Sequence, residues 1–275
     1  TVMLESLCEI EEHGHIPALQ RLLEVHPEAS AEILLMDMAD LASIRSAVER
    51  DGDEPLDLLI NNAGIMGTDK ATTADGFESQ LGTNHLGHFA LTGLLLDRLN
   101  AAPAARVVTV SSGGHRPGKI DFDDLQSERG YNRWVAYFQS KLANLLFTYE
   151  LQRRLEAAGS STSALAAHPG GSSTELGKSR DGSGGLTAKI IAWGAPISDR
   201  LMQSAQMGAL PTLRAAVDPE ATGGQYYGPD GFLEQRGHPV VVQSSKRSHD
   251  RDVARRLWDV SEELTGVHYD FGSGG

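Results

Sequence analysis

The sequence predicts an α/β protein built on a doubly wound, mainly parallel sheet. Two observations support this: short apolar runs typical of buried strands alternate with amphipathic stretches typical of helices, and polar or turn-forming residues follow each apolar run. Strands connected through helices bring their carboxyl ends to one edge of the sheet, where doubly wound proteins bind ligands. The pattern therefore predicts both a fold and the edge at which to look for a site.

The composition is that of one large globular domain. The chain has 275 residues, of which 40% are hydrophobic and 6% aromatic, enough for a substantial core. Acidic residues outnumber basic ones by 37 to 24, so we expect no nucleic-acid partner. The apolar runs are too short for a membrane span. A single cysteine, Cys8, and an acidic start without a signal-peptide pattern predict a cytoplasmic protein.

The first half of the chain contains two predicted helices and two predicted strands. Ile16–His26 carries leucines on one face and is stopped by Pro27, which is typical of a helix. Ala31–Met36 is predicted as a strand, and Asp40 as the N-cap of the next helix. Leu56–Ile60 is a continuous apolar run, which predicts a strand buried on both faces.

The second half continues the alternation. Gly76–Leu99 predicts one long helix, and Arg106–Val110 predicts a strand. A helix carrying Tyr137 and Lys141 follows, and Thr162–Ala167 predicts the next strand. This order argues for right-handed strand–helix–strand units.

Tyr137 and Lys141 stand four residues apart, so on a helix their side chains leave the same face. A phenol has a pKa of about 10, but a neighbouring ammonium favours the phenolate and lowers that pKa. The pair can therefore act as one proton-transfer unit. Taken alone, this spacing also fits an exposed pair on a helix surface.

The other candidate residues follow predicted strands or lie on the helices between them. Each motif alone also fits an ordinary turn or helix start, and only their common placement predicts a site. Two histidine pairs lack a third ligand, so we expect no metal, and His85 and His88 are interpreted as packing residues. The candidates are Asp37, Asn61-Asn62-Ala63-Gly64, Asn84, Ser111-Ser112 and His168-Pro169-Gly170.

These motifs, in this order, resemble those of the short-chain dehydrogenase/reductase family, specifically its branch of retinol dehydrogenases and related WW-domain oxidoreductases. The similarity runs from about Ile16 to Tyr269 and implies a Rossmann-type sheet. It covers the Asn-Asn-Ala-Gly element, the segment holding the active-site Asn, the strand end holding the Ser, the Tyr-x-x-x-Lys pair and the Pro-Gly turn. The matching residues are Asn61–Gly64, Thr83–Phe89, Val110–Ser112, Tyr137 with Lys141, and His168–Gly170 with Thr174.

The resemblance implies an oxidoreductase that uses NAD or NADP to interconvert a carbonyl and an alcohol. Tyr137 would transfer the proton, and Lys141 would lower its pKa and bind the nicotinamide ribose. Ser112 would hold the substrate oxygen, and Asn84 a water linked to Lys141. The position of the serine in the family motif selects Ser112 over Ser111 as the site residue. The residues alone do not decide between the two. The implied cofactor-binding residues are Asp37, Asn61, Ala63, Gly64, Tyr137, Lys141, Pro169, Gly170 and Thr174.

We expect a single Rossmann-like domain over 16–270, after an unrelated or vestigial segment over 1–15 and before a flexible tail over 271–275. Residues 172–203 stand where the family keeps its substrate lid. Their apolar side chains predict a small to medium, largely apolar substrate, although a helix packed on the core is an equal alternative. The sequence leaves open whether the chain forms a homo-oligomer.

The front of the chain departs from the family pattern. A glycine-rich turn after the first strand normally meets the cofactor pyrophosphate, but the only glycines before Gly64 are Gly14 and Gly52. The first strand, first helix and most of the second strand are therefore predicted to be missing, and with them the residues that choose between NAD and NADP. Leu56–Ile60 would lack a neighbour. We expect Ala31–Met36 to slide beside it; the alternatives are that Thr1–Leu4 fills the gap or that the chain is poorly stable.

Three functions fit these observations. The first is the NAD(P)-dependent oxidoreductase. The second is a catalytically inactive relative that acts as a binding or oligomerisation partner, which loss of the phosphate-binding turn would produce. The third is a non-redox enzyme that uses Ser112 and Tyr137.

Overall fold

The computed structural model describes residues 2–4, 12–171 and 203–272, with side chains from residue 19 onward within these ranges. These residues contain one six-stranded sheet whose strand order follows the chain order. The first five strands run parallel, and the sixth is antiparallel to the fifth. The α/β class with a mainly parallel sheet is confirmed. The strands are β1 Val2–Leu4, β2 Leu58–Asn61, β3 Arg106–Val110, β4 Ser163–Ala167, β5 Tyr226–Pro229 and β6 Pro239–Val241.

Helices occupy most of the connections between the strands. In the part of the chain that the structure describes, no helix is both long enough and apolar enough to cross a membrane. The helices are α1 Glu12–Val25, α2 Leu41–Asp51, α3 Ser79–Leu81, α4 Gly87–Leu94, α5 Leu96–Ala101, α6 Arg133–Ala157, α7 Ala205–Val217 and α8 Arg251–Thr265.

The single long helix predicted over Gly76–Leu99 is wrong. A π turn over Gly82–Leu86 separates α3 from α4, and Leu95 leaves helical geometry between α4 and α5. A π turn inserts one extra residue into a helix and is frequent at functional sites. Here the inserted turn carries Asn84, one of the candidate site residues.

Both faces of the sheet are covered by helices. Leu58, Ile60 and Val108 pack on one face with two buried alanines of α7. The intervening residues Leu59 and Val107 face the other way, into the core cluster that includes residues of α4, α5 and α6. This two-residue alternation explains why the strands read as continuous apolar runs, because each strand is buried on both sides.

The neighbour of β2 is β1, in which Leu4 pairs with Ile60. The structure therefore shows Val2–Leu4, within the alternative named for Thr1–Leu4, filling the gap, and the expectation that Ala31–Met36 forms a strand and slides beside β2 is wrong. The physical reason is that β1 occupies the edge of β2, so the segment has no place to pair there. Its Ile33 and Leu35 side chains are 40% and 46% exposed.

The turn into α2 is formed as predicted. The Asp40 carboxylate accepts the backbone N–H groups of Ala42 and Ser43, which confirms Asp40 as the N-cap. The same turn buries Met38 in the core. The chain after the exposed segment is thus fixed to the domain by one cap and one buried side chain.

Candidate active site

The carboxyl ends of β2, β3 and β4 lie side by side, as the parallel register requires. Asn61 pairs with Thr109, and Val110 pairs with Ala167. The Asn-Asn-Ala-Gly turn, the serine pair and the His-Pro-Gly turn therefore leave the sheet at one edge, as the sequence predicted.

Tyr137 reaches this edge from the start of α6. The helix begins after Asn132, whose side chain accepts the N–H groups of Trp134 and Val135. Tyr137 is 8% exposed, and its hydroxyl lies near the hydroxyl of Ser112, which lowers the pKa of the phenol. A proton donor and a second hydroxyl thus meet at one point of the site.

The two serines after β3 point in different directions. The Ser112 hydroxyl accepts the N–H of Gly114 at 3.1 Å and contacts Tyr137. The Ser111 hydroxyl is buried and donates to the backbone oxygen of Lys141 at 2.8 Å. This geometry supports Ser112 as the residue that faces a substrate and gives Ser111 a structural role.

Burial raises the pKa of Tyr137, and the hydrogen bond from Ser112 opposes that rise. The causes of the shift do not include Lys141, and its role in lowering the pKa of Tyr137 stays a prediction. The Lys141 ammonium instead donates to the backbone oxygen of Val110 at 3.2 Å. Burial lowers the pKa of Lys141 to about 8, because an apolar surrounding disfavours the charged amine.

Asn84 ties the π turn to the loop after β2. Its Oδ1 accepts the Ile65 N–H at 2.8 Å, and its amide nitrogen donates to Ile65 O and to Ser140 Oγ, both at 2.9 Å. Both amide protons are therefore used within the protein. The role of Asn84 in holding a water linked to Lys141 stays a prediction.

Gly64 separates Asn84 from Lys141. A Cβ built at this glycine would lie 3.0 Å from Asn84 Oδ1 and 3.4 Å from Lys141 Nζ. Any side chain here would crowd both groups, so the glycine leaves room beside the lysine for close approach of a ligand. This fits its predicted place in a cofactor site.

Two other predicted cofactor residues after β2 lie inside the protein. Asn61 is fully buried, and its amide donates to Thr92 at 2.9 Å and to Thr109 at 3.4 Å. These bonds tie β2 to α4 and β3 and give the Asn61 side chain a structural role, and the predicted cofactor contact of Asn61 stays a prediction. Ala63 is also buried in the core.

The remaining predicted cofactor residues are only partly placed. Asp37 is exposed, and its carboxylate accepts the N–H of Ala39, which is the contact of an ordinary turn. Pro169 and Gly170 lie in the turn after β4. Thr174 lies outside the described residues. The adenine and nicotinamide contacts of this group stay predictions.

Sequence reasoning missed His115, which lies behind Ser112. The ring is fully buried, its Nδ1 is 2.6 Å from Ser112 O, and its Nε2 accepts the Ser245 N–H at 3.1 Å. Burial lowers the pKa of His115 to about 4, so the ring is neutral. The only signal in the sequence was a histidine three residues after the candidate serine.

Glu234 was missed as well. Its carboxylate lies 2.8 Å from the Arg116 guanidinium and 3.1 Å from His168 Nε2, and the hydrogen bond from His168 is the main reason why its pKa is lowered. Leu233 and Glu234 have φ angles of 52° and 57°, a left-handed geometry that costs about 1–3 kcal/mol per residue. The carboxylate thus holds a strained loop against the turn after β4.

Trp134 is an exposed apolar side chain beside Tyr137. Met66 and Val135, each next to Trp134 or to the glycine under its ring, are exposed as well, and we call these three residues the apolar rim. Trp134 is 36% exposed, and its ring stands edge-on to that of Tyr137 with centroids 6.4 Å apart. The indole also packs over Gly67, where a Cβ would lie 3.2 Å from it. Large apolar side chains exposed beside a polar pair are typical of a ligand site.

The comparisons with known proteins point to one family. A model of the short chain dehydrogenase family matches residues 7–183. Retinol dehydrogenase 13 of Homo sapiens is 44% identical over 237 residues, which cover 84% of this chain and 68% of that protein. Polyprenol dehydrogenase of Homo sapiens is 39% identical over 244 residues, covering 86% and 69%.

Solved structures agree with this result. The crystal structure of an uncharacterized protein from Mycobacterium Paratuberculosis is 47% identical, with a TM-score of 0.68 over 86% of this chain and 75% of that one. NADPH-bound carbonyl reductase from chicken fatty liver shares the fold at 21% identity, with a TM-score of 0.56 over 87% and 86%. The predicted oxidoreductase class, in a family that uses NAD or NADP, is confirmed. The chain is a member of the short-chain dehydrogenase family, in its retinol dehydrogenase-like branch.

Proposed function

We propose that this chain interconverts a carbonyl and an alcohol on a small to medium, largely apolar substrate with NAD or NADP. The observation that carries the proposal is that the hydroxyls of Ser112 and Tyr137 lie beside each other at the carboxyl edge of the sheet, where the turn after Ser112 packs against the Tyr137 ring. Lys141 lies one helical turn after Tyr137 and beside Gly64. These groups offer a proton donor, an oxygen-binding hydroxyl and a cation within one site.

Tyr137 supplies the proton at the substrate oxygen. In the direction of reduction the phenol donates to the carbonyl oxygen, and in the reverse direction it takes the proton from the alcohol. Ser112 donates a hydrogen bond to the same oxygen as negative charge builds there. Since burial raises the pKa of Tyr137, the phenol carries its proton at neutral pH, which suits reduction.

The described residues fit the nicotinamide end of a dinucleotide. The space at Gly64, where a Cβ would meet both Asn84 and Lys141, is a cradle beside a buried cation that can bind a ribose hydroxyl. Pro169 and Gly170 would line the nicotinamide amide. When bound, the dinucleotide supplies or accepts the hydride, and the protein orients it.

The apolar rim supports an apolar substrate. Met66, Trp134 and Val135 are exposed, and the Trp134 ring stands edge-on to Tyr137, so an apolar chain that lies against Trp134 beside the reacting oxygen would lose water contact. The relatives named above are dehydrogenases of retinol and of polyprenol, and both alcohols are largely apolar. The lid predicted over 172–203 lies outside the described residues apart from Gln203, so the apolar rim carries this part of the proposal.

The test is Tyr137→Phe, with Tyr149→Phe as the matched control. Tyr149 lies on the same helix and is also buried, and its hydroxyl bonds to Ser244 at 2.8 Å. Both variants are made in a chain whose residues 1–14 are replaced by a glycine-rich strand, turn and helix. There we expect Tyr137→Phe to lower the rate of reduction of apolar aldehydes by about 10²–10⁴-fold and Tyr149→Phe to leave it within about twofold, because Tyr137 lies beside Ser112 whereas Tyr149 bonds to Ser244. Steady-state kinetics with NADPH and NADH measure this. Retention of more than about a tenth of the rate by Tyr137→Phe would remove Tyr137 as the acid.

A second candidate is a non-catalytic relative that acts as a binding or oligomerisation partner. One observation favours it: Gly14 and Gly52 are the only glycines before Gly64, and Gly14 lies within α1, so no glycine-rich turn offers its backbone to a pyrophosphate. Fluorescence titration with NADH and NADPH separates the two candidates, because only the enzyme needs a bound dinucleotide.

A further inference from the structure

The contacts of His115 fix its ring in one tautomer. The backbone oxygen of Ser112, 2.6 Å from Nδ1, can only accept, and the backbone N–H of Ser245, 3.1 Å from Nε2, can only donate. The proton is therefore on Nδ1, and Nε2 is the acceptor. The ring links the turn after β3 to a segment 130 residues further along the chain.

Packing leaves this ring and its turn little freedom. His115 is fully buried, with its ring edge-on to Tyr226 at 5.6 Å between centroids. Gly114, between Ser112 and His115, lies so close to the active tyrosine that a Cβ would be 3.1 Å from Tyr137 Cε1. A displacement of the turn by a fraction of an ångström would therefore change the contact between Ser112 and Tyr137.

Hydrogen bonds hold both the carbonyl oxygen and the side-chain hydroxyl of Ser112. Its carbonyl oxygen accepts the N–H of His115 at 3.0 Å as well as the Nδ1 proton. Its hydroxyl accepts the N–H of Gly114. Among these bonds only the one from the imidazole can be removed by changing a side chain other than that of Ser112. A substitution of His115 therefore tests how the orientation of Ser112 is fixed while Ser112 itself is kept.

We infer that His115 is a positioning residue: its Nδ1–H holds the Ser112 carbonyl so that the Ser112 hydroxyl points at the Tyr137 hydroxyl. The kinetic part of this inference rests on the proposed function. His115 touches neither the reacting oxygen nor the cofactor, so it acts only through Ser112.

The test compares His115→Asn with His115→Gln. An asparagine amide places an N–H near the position of Nδ1 and keeps the donor to Ser112, whereas a glutamine amide reaches the position of Nε2 and loses that donor. Both substitutions remove the imidazole and leave a buried amide. We therefore expect similar losses of stability, so that a difference in activity between the two variants reports the donor to Ser112. The melting temperatures of the two variants are measured to check that both are equally folded.

We expect His115→Gln to lower kcat by about 10–100-fold, because sub-ångström misplacement of a catalytic group has effects of that order. KM should change by less than about threefold, since binding of the apolar part of the substrate is untouched. His115→Asn should keep kcat within about threefold of the parent. Equal kcat values for the two variants, whether near the parent or far below it, would overturn the positioning role.

A second measurement needs neither cofactor nor activity. The Ser112 hydroxyl lowers the pKa of Tyr137. If that hydroxyl turns away from Tyr137, the phenol pKa should rise, and we expect this rise in His115→Gln but not in His115→Asn. Carbon-13 NMR of ring-labelled tyrosine reports this pKa, and Tyr137→Phe identifies the signal. If the parent reduces no carbonyl but the phenol pKa follows this pattern, the proposed function fails and the positioning inference stands. A phenol pKa unchanged in both variants would overturn the inference.

Discussion

Side chains at the carboxyl edge of β2, β3 and β4 are buried and hydrogen-bonded, whereas much of the segment before α2 is exposed. Asn84, Tyr137 and Lys141 are all buried. At the front, Val25, Ile33 and Leu35 are large apolar side chains that remain in solvent. The comparison teaches that the proton-transfer half of the site is organised by the fold itself, before any ligand binds, whereas over residues 19–40 the described side chains are mostly exposed and only Met36 and Met38 are buried.

The difference follows from how each region is held. Two long-range strand pairings, the helix α6 and the π turn converge on the carboxyl edge. The front is joined to the sheet through the three residues of β1. A site needs several rigid supports to fix its side chains, and only the carboxyl edge has them.

The sharpest test of this comparison is cofactor affinity. We expect the chain as given to bind NADH and NADPH only weakly, with no binding detected at micromolar concentration, and replacement of residues 1–14 by a glycine-rich strand, turn and helix to bring the affinity into the micromolar range. The glycine-rich turn would donate two or three charge-assisted hydrogen bonds to the pyrophosphate, each contributing about 1.5–3 kcal/mol. The cofactor affinity should therefore change by about 10²–10⁶-fold. Calorimetry on both chains measures it. Micromolar binding by the unchanged chain would mean that the front holds a phosphate site of another kind.

Lys141→Met should have opposite effects on stability and on function at the carboxyl edge. Burial lowers the pKa of Lys141 from 10.5 to about 8, so at pH 7 the folded state holds a charged amine at a cost of about 3 kcal/mol, which Met removes. The acceptor Val110 O keeps its bond from Asn144 at 3.0 Å. We expect the variant to unfold at higher denaturant at pH 7 but to lose activity and cofactor affinity.

The pH dependence gives the sign of this effect. Between the folded pKa of about 8 and the ordinary value of 10.5, the unfolded chain binds more protons, so the parent gains stability as pH rises through this window. The advantage of Lys141→Met should therefore shrink from pH 8 to pH 10.5. Lys119→Met, at an exposed position, should show no such trend. If Lys141→Met lowered the affinity for the substrate but left the affinity for the cofactor unchanged, the ribose-binding role of Lys141 would be contradicted.

The smallest expected effect is at the front. Leu35→Ala should change the free energy of unfolding by less than about 0.5 kcal/mol, because its side chain is largely in water. Leu59→Ala, in β2 and fully buried, should cost about 2–5 kcal/mol. Urea unfolding of the two variants measures the contrast. A large cost for Leu35→Ala would show that this segment packs against something in solution.

The sequence by itself determined the elements whose signals are local. The strand over Arg106–Val110 has the predicted bounds, and Asp40 caps α2 as expected. Tyr137 and Lys141 lie on one helix at the predicted spacing. Strand periodicity, capping and helical spacing depend on residues within a few positions of one another, so they can be read without the fold.

Only the tertiary structure decided which side chains face the site. The choice of Ser112 over Ser111, the inward turn of Asn61 and the partner of β2 all depend on contacts between distant segments. His115 and Glu234 were not found from the sequence for the same reason: their partners Ser245 and Arg116 lie 130 and 118 residues away. A buried polar group is satisfied by whatever the fold brings next to it, and no local pattern records which residue that is.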